Sequence, residues 1–288
     1  MKTTLSILSA LSILAVAPPA FAQYASSPGA SSGVTGEFTQ LDRQSPVSQF
    51  GVDFGGAYWH SDFLDNITAV RIDLHGHYTA PNGFGFYGSL PIVRTFSDED
   101  DVTGTGNLDV GGFKVLDTGS PWQVILRGGL FLATADEGEG SFANILGYPA
   151  RLTDFYSVFP DSTTLRLSAS PIIRSGNGFF RADLGLDLPL SEPDGADTEP
   201  LLRANFGGGG DLGSARLMGE LIFMHAFSDV DDDDNTIVSA AITARFGKDL
   251  VRPGVSLGSI IYVPDSDSDD YLFDPLLLIF SLQFVPQI

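Results

Sequence analysis

From residue 51 onward, apolar and polar positions alternate with a period of two along most of the chain. That is the spacing of a β-strand with one apolar and one polar face. The pattern is sharpest from Leu165 to Leu188. Leu165-Arg-Leu-Ser-Ala-Ser-Pro-Ile-Ile-Arg174 is apolar at the odd positions, and Phe180-Arg-Ala-Asp-Leu-Gly-Leu-Asp-Leu188 at the even ones. Ser175-Gly176-Asn177-Gly178 between them has the chemistry of a tight hairpin turn. A two-residue loop at Gly176 and Asn177 sets Leu165 against Leu188, Leu167 against Leu186, Ala169 against Leu184 and Ile173 against Phe180. The other face then holds Arg166 opposite Asp187 and Ser170 opposite Asp183. Both faces are consistent in this register, and a one-residue slip would exchange them.

Strand signals recur at regular spacing: 51–60, 70–78, 84–93, 108–115, 122–134, the central pair, 202–206, 215–227, 237–246, 255–263 and 276–284. That makes about twelve strands. A change of phase at Gly111-Gly112 predicts a bulge. The connections alternate in length. Short ones fall at 80–83, 117–121, 175–178, 207–213 and 247–254, and long ones at 60–66, 94–104, 135–162, 189–200, 228–236 and 264–274. The long set carries 25 acidic residues against only Arg94 and Arg151. This polarity of length and charge is that of a membrane-spanning barrel with short periplasmic turns and long acidic extracellular loops. Hydrocarbon demands closure, because open sheet edges there have no hydrogen-bond partners. The predicted fold is therefore all-β, a single up-and-down antiparallel transmembrane β-barrel of about twelve strands. A secreted β-sandwich is the competing architecture.

In the barrel reading the polar face lines the lumen. Its charged and imidazole positions are Arg71, Asp73, His75, His77, Arg127, Arg166, Arg181, Asp183, Asp187, Arg203, Arg216, Glu220 and Arg245, joined by Asp53, Asp109, Lys114 and Arg174. Opposite charges facing each other across strands fit a wet, paired interior.

Residues 1–22 change the picture by adding a compartment. Lys2, the apolar run Leu5 to Val16 and Ala20-Phe21-Ala22 read as a signal peptide cleaved before Gln23. No later stretch approaches the about 18 apolar residues of a spanning helix. The chain is thus expected in the outer membrane of a Gram-negative bacterium, with lipid and lipopolysaccharide as its surroundings. Residues 23–49, rich in Ser, Gly, Ala and Gln, read as a flexible arm or a plug of the barrel mouth, and 50–288 as the barrel. A net charge of −21 argues against nucleic acid as a partner, since phosphate binding relies on Lys and Arg. The absence of cysteine excludes disulfides and thiolate metal sites.

Little in the sequence points to catalysis. Gly83–Gly88 and Gly208–Gly213 fit a dinucleotide-binding pattern but lack the following helix. Gly29–Gly33 fits a nucleophile elbow without its strand. His75 and His77 point the same way from one strand without an evident third metal ligand, and His60 and His225 fall into no catalytic set. No enzyme activity and no tightly bound cofactor are expected. Asp229, Asp231, Asp233 and Asp265, Asp267, Asp269 have the spacing of calcium-loop ligands but not the glycine and glutamate of an EF-hand. Weak association of Ca²⁺ or Mg²⁺ would relieve their repulsion.

Phe84-Gly-Phe-Tyr-Gly-Ser-Leu-Pro-Ile-Val-Arg94, an acidic loop, and Gly104-Thr-Gly-Asn-Leu-Asp-Val-Gly-Gly-Phe-Lys-Val115 follow one another here. This run resembles the signature of the outer-membrane barrels named for the MetA pathway of phenol degradation. The resemblance implies a channel-like protein for small aromatic or hydrophobic compounds, and it carries over no site residues. The leading expectation is passive diffusion of small organic solutes through a charged lumen. The alternative is a non-transporting surface barrel whose acidic loops bind divalent cations or envelope partners.

Overall fold

The computed structural model describes residues 40–59, 67–97, 101–117, 121–191, 198–227, 235–247, 250–262 and 277–284. All belong to one compact unit, Val34–Val285. Its strands are β1 (Gln49–Trp59), β2 (Ile67–Thr79), β3 (Phe84–Phe96), β4 (Val102–Thr105), β5 (Leu108–Asp117), β6 (Trp122–Leu132), β7 (Thr164–Ser175), β8 (Gly178–Pro189), β9 (Leu201–Leu212), β10 (Ala215–Ala226), β11 (Thr236–Phe246), β12 (Val251–Tyr262) and β13 (Leu277–Phe284). Between β6 and β7 lie a helix, α1 (Glu139–Gly147), and a 3₁₀ stretch, Tyr148–Ser157.

Apart from β4 and β5, which both pair with β3, each strand pairs antiparallel with its neighbours in sequence, and β1 closes the ring on β13 from Phe50↔Phe284 to Gly56↔Leu278. The short β4 and the longer β5 share one position beside β3, so the result is a closed twelve-strand barrel. Closure satisfies every edge, as a hydrocarbon environment requires. Strands such as β2 and β8, with 13 and 12 residues, are long enough to cross a bilayer at a tilt.

The central hairpin has the register its pattern predicts, with Leu165↔Leu188, Arg166↔Asp187, Leu167↔Leu186, Ala169↔Leu184 and Ile173↔Phe180. Gly176 takes φ = 57°, the form of two-residue turn that needs glycine at its first position. Leu74, Phe86, Leu126, Leu167, Leu184, Leu217, Ile242 and Phe280 are exposed on the outside, while the alternate positions are buried inside. An apolar exterior over a polar interior is inverted relative to a soluble domain.

The structure departs from the sequence pattern at three places. β5 runs without a register shift through Gly111 and Gly112 on both sides, so there is no bulge there. The side-chain phase holds, and it is the interior that changes character. Asp109 gives way to Phe113 and Val115, which pack inside with Tyr87, Ile125 and Ile172. Lys114 consequently faces outward, donating to Asn82 O and lying over the Phe84 ring, so it does not belong with the interior charges. Residues 207–212, read as a turn, continue β9 between β8 and β10. Glycine suits this run because a Cβ at Gly209 would run into the backbone of Leu217.

The third departure sets up the candidate site. The connection between β6 and β7 is folded inward and packed. α1 sets Ala143 and Leu146 against Ala57, Ala69 and Val93 of β1–β3. Tyr148, Leu152, Tyr156 and Val158 pack on Phe131, Leu201, Ile222 and Met224 of the wall. From the opposite end of the barrel, where the short turns lie, residues 40–48 also run inside. The interior is therefore filled by two segments that are not part of the wall.

Candidate functional site

All thirteen charged and imidazole positions of the polar face are buried, Arg181, Asp183, Asp187 and Arg203 completely. A buried charge is tolerable only when it is paired, and the wall accordingly forms a network. Arg71 Nη2 lies 2.9 Å from Asp73 Oδ1, Arg181 Nε 2.7 Å from Asp183 Oδ1, and Arg203 Nη2 3.0 Å from Asp187 Oδ1. Arg166 reaches Asp187 at 3.4 Å and Asp109 at 3.3 Å, and Asp109 also takes a short contact from Arg127. Arg216 pairs with Asp211 at 2.8 Å. Arg245 Nη1 donates to the carbonyl of Arg252. His75 Nε2 is 3.2 Å from Asp53 Oδ2.

The inserted segments complete this network. Asp42 Oδ1 takes Arg127 Nη1 at 2.6 Å and Arg203 Nη1 at 3.3 Å, and Asp42 Oδ2 takes the Ser168 hydroxyl at 2.7 Å. Arg43 meets Asp53 at 2.7 Å and Asp73 at 3.5 Å. Glu220 accepts the backbone N–H groups of Gln40 and Leu41 at 2.7 and 3.1 Å. His77 Nε2 lies 2.8 Å from Val47 O, so this imidazole is engaged by the inserted chain. From the other segment, Asp154 receives Arg166 at 2.7 Å, Arg71 at 3.5 Å and its own neighbour Arg151 at 2.7 Å. Burial pushes the Asp42 carboxyl up, but Arg127, Arg203 and Arg166 outweigh it and hold the group well below the usual carboxylate range. The same opposition, with Arg151, Arg166 and Arg71 prevailing, keeps Asp154 well below that range. Both aspartates are anions in the closed barrel.

The two segments also bind each other. Gln40 Nε2 donates to Ala150 O at 2.9 Å and its Oε1 accepts Leu152 N–H at 3.0 Å, while Arg151 Nη2 donates to Leu41 O at 3.0 Å. Where Arg43, His75, Tyr87, Arg127 and Asp154 come together, the remaining cavity is about 20 Å³, roughly the room of one water.

Asn107 fastens the inward connection to the wall. Its Nδ2 donates to the carbonyls of Tyr156 and Phe159 at 2.9 and 2.6 Å, and its Oδ1 accepts the N–H groups of Thr134 and Ala135. An amide is required, since a carboxylate has no N–H for those carbonyls. Gly104 and Gly106 flank it because a Cβ at either would run into the backbone of Gly140 or Ser157.

Sequence reasoning did not single out Asp42, Arg43, Asn107, Arg151 or Asp154 as site residues. Two signals pointed to them: Arg43 is the only Lys or Arg between Lys2 and Arg71, and Arg151 is one of two basic residues in the long connections. Asp229, Asp231, Asp233, Asp265, Asp267, Asp269, His60 and the signal segment 1–22 lie outside the described residues. His225 is half-buried against Phe227 and lies 3.0 Å from Thr236 Oγ1. Among the described residues, no three His, Cys, Asp or Glu side chains gather around a metal position.

Solved structures share this fold. An outer-membrane channel from Pseudomonas putida F1 superposes with a TM-score of 0.58 at 12% identity, over 87% of this chain and 98% of that one. The NanC porin gives 0.50 at 9% identity, over 82% of this chain and 100% of its own. At such identities the likeness is one of fold. No protein-family model matches the chain, and no curated protein does.

Proposed function

We propose that the chain is an outer-membrane channel for small organic solutes, in a closed conformation with residues 40–48 and 139–157 seated in its lumen. One observation carries this reading: the filling is separable from the wall. The ring of strands is complete without it, and the interior face that remains carries charges that mostly pair along the wall, beside apolar patches such as Phe131, Ile222 and Met224 that the filling covers. A barrel that served only as a scaffold would be better served by an apolar core, since replacing buried ion pairs with packed hydrophobes is often neutral or stabilising. The barrel fold shared with an outer-membrane channel supports the reading. So does the resemblance of 84–115 to the MetA-pathway barrels, which suggests aromatic or hydrophobic solutes. Among the described interior side chains no set of catalytic roles stands out, and we take the protein not to be an enzyme.

The test is planar-bilayer conductance of the full chain beside a variant in which residues 40–48 are replaced by a Gly/Ser stretch of equal length. The variant is expected to carry a steady current and the wild type to flicker or stay closed. A folded variant that passes neither ions nor small solutes in liposome swelling counts against a channel.

The filled lumen also favours a second reading, a non-transporting surface barrel whose acidic loops hold divalent cations or envelope partners. In that case the Gly/Ser variant conducts nothing, and calorimetry of the wild type with millimolar Ca²⁺ gives a heat that neutralising Asp229, Asp231 and Asp233 removes.

A further inference from the structure

Three strands of the wall aim donors at a single point inside the barrel. Arg127 comes from β6, Ser168 from β7 and Arg203 from β9. None of the three is more than 9% exposed. What sits at that point is the carboxylate of Asp42, a residue of the inserted segment. One carboxylate oxygen takes the two guanidinium N–H groups and the other takes the hydroxyl, so the wall reads both oxygens of a planar carboxylate.

Charge gives the site its sign. Arg127, Arg166, Arg181 and Arg203 share three wall carboxylates, Asp109, Asp183 and Asp187, the second of which also accepts the Asp42 N–H, while Asp154, which reaches Arg166 as well, brings its own partner Arg151. The wall alone therefore holds an excess of one guanidinium here, and Asp42 neutralises it. A neutral solute in place of Asp42 would leave that charge buried without a counter-ion. The wall also has donor capacity beyond what Asp42 uses. Arg127 Nε, Arg203 Nε and the amide of the fully buried Asn205 have no hydrogen-bond partner among the described residues. A group larger than an aspartate side chain would find further donors beside it.

We propose that the position held by Asp42 is a binding site for the carboxylate of a small organic anion, which displaces residues 40–48 on entering. The inserted segment then acts as a resident competitor, presenting the functional group that the wall selects. This rests on the channel reading and narrows its solutes to organic anions.

The probes are benzoate and its uncharged isostere benzamide, added to the full-length protein in detergent and in planar bilayers. In calorimetry Asp42→Ala should bind benzoate at least tenfold more tightly than the wild type, which must first release its own carboxylate. Benzamide should give no heat. Adding Arg203→Gln to Asp42→Ala should abolish the benzoate heat. Heat-modifiable migration on a gel confirms a folded barrel, and Asp42→Asn, which keeps the shape and removes the charge, takes the place of Asp42→Ala if the latter does not fold. Equal responses to benzoate and benzamide, or no benzoate binding to either variant, overturn the carboxylate site and leave the channel reading intact. Benzoate binding without current in any variant, including the Gly/Ser replacement, overturns the channel reading and leaves the site.

Discussion

The hydroxyl of Thr153 donates a 2.6 Å hydrogen bond to the backbone carbonyl of Gln40, and the two residues are 113 positions apart in the chain. Neither belongs to the wall. One reaches the middle of the barrel from the short-turn end and the other from the long-loop end, and they meet in a buried contact. Closure is thus a joint property of two segments, each of which is also tied to the wall.

That relationship predicts coupling. Gln40→Ala removes the bonds to Ala150 O and Leu152 N, and Thr153→Val removes the bond to Gln40 O. Members of one buried network interact by about 0.5–3 kcal/mol beyond additivity. The open probability of the double variant should therefore depart from the product of the single effects by about twofold or more. Strict additivity in single-channel records would show that the segments close the barrel independently.

Asn107→Asp should release the inward connection while leaving the strands paired. The substitution faces the carbonyls of Tyr156 and Phe159 with a group that lacks their donor. A buried group left unsatisfied costs about 1–3 kcal/mol. Limited proteolysis should cut within 139–157 faster in this variant than in the wild type, with an unchanged strand signal in circular dichroism. Equal cleavage rates would mean that the amide does not hold the segment.

Acid should unseat the filling only well below neutrality. The carboxylates of Asp42 and Asp154 are depressed in the folded state by their guanidinium partners. A depressed carboxylate contributes stability that is full above its unfolded value, about 3.9, and is lost as pH falls through the folded one. Conductance should therefore hold constant from pH 8 to about pH 5 and rise only below about pH 4. In Asp42→Asn the part of this acid response due to position 42 disappears. Opening between pH 7 and 5 in the wild type would point to other groups.

The exterior should obey the bilayer. Leu184 sits near the middle of β8, half exposed on the outer face, beside the completely buried Asp183. Leu184→Arg should cost about 2–4 kcal/mol in folding into vesicles, the depth-dependent penalty of a cation on a lipid face. A change below about 0.5 kcal/mol, within the scatter of ordinary surface substitutions, would place this residue away from the hydrocarbon.

How far the molecule was legible beforehand follows from the range of the forces involved. Strand pairing between sequence neighbours is set by alternation and by turn chemistry within a few residues. The register from Leu165↔Leu188 to Ile173↔Phe180 could therefore be read directly from Gly176-Asn177 and the phases on either side. The same local rule misleads at Phe113 and Val115. There the inward face is apolar because Tyr87, Ile125 and Ile172 occupy the same level of the interior, and a phase change was the only local way to read it.

By itself the sequence determined a closed ring of about twelve strands, an apolar exterior and a charged interior face, because a period of two and a glycine turn act over short distances. Only the tertiary structure decided that the interior is occupied. Asp42 meets Arg127 and Arg203, and Gln40 meets Leu152, across separations of 85 to 161 residues. Such contacts leave no periodic trace in the chain. They form because guanidinium groups buried inside a closed cylinder require carboxylates, and two segments long enough to reach them supply the missing ones.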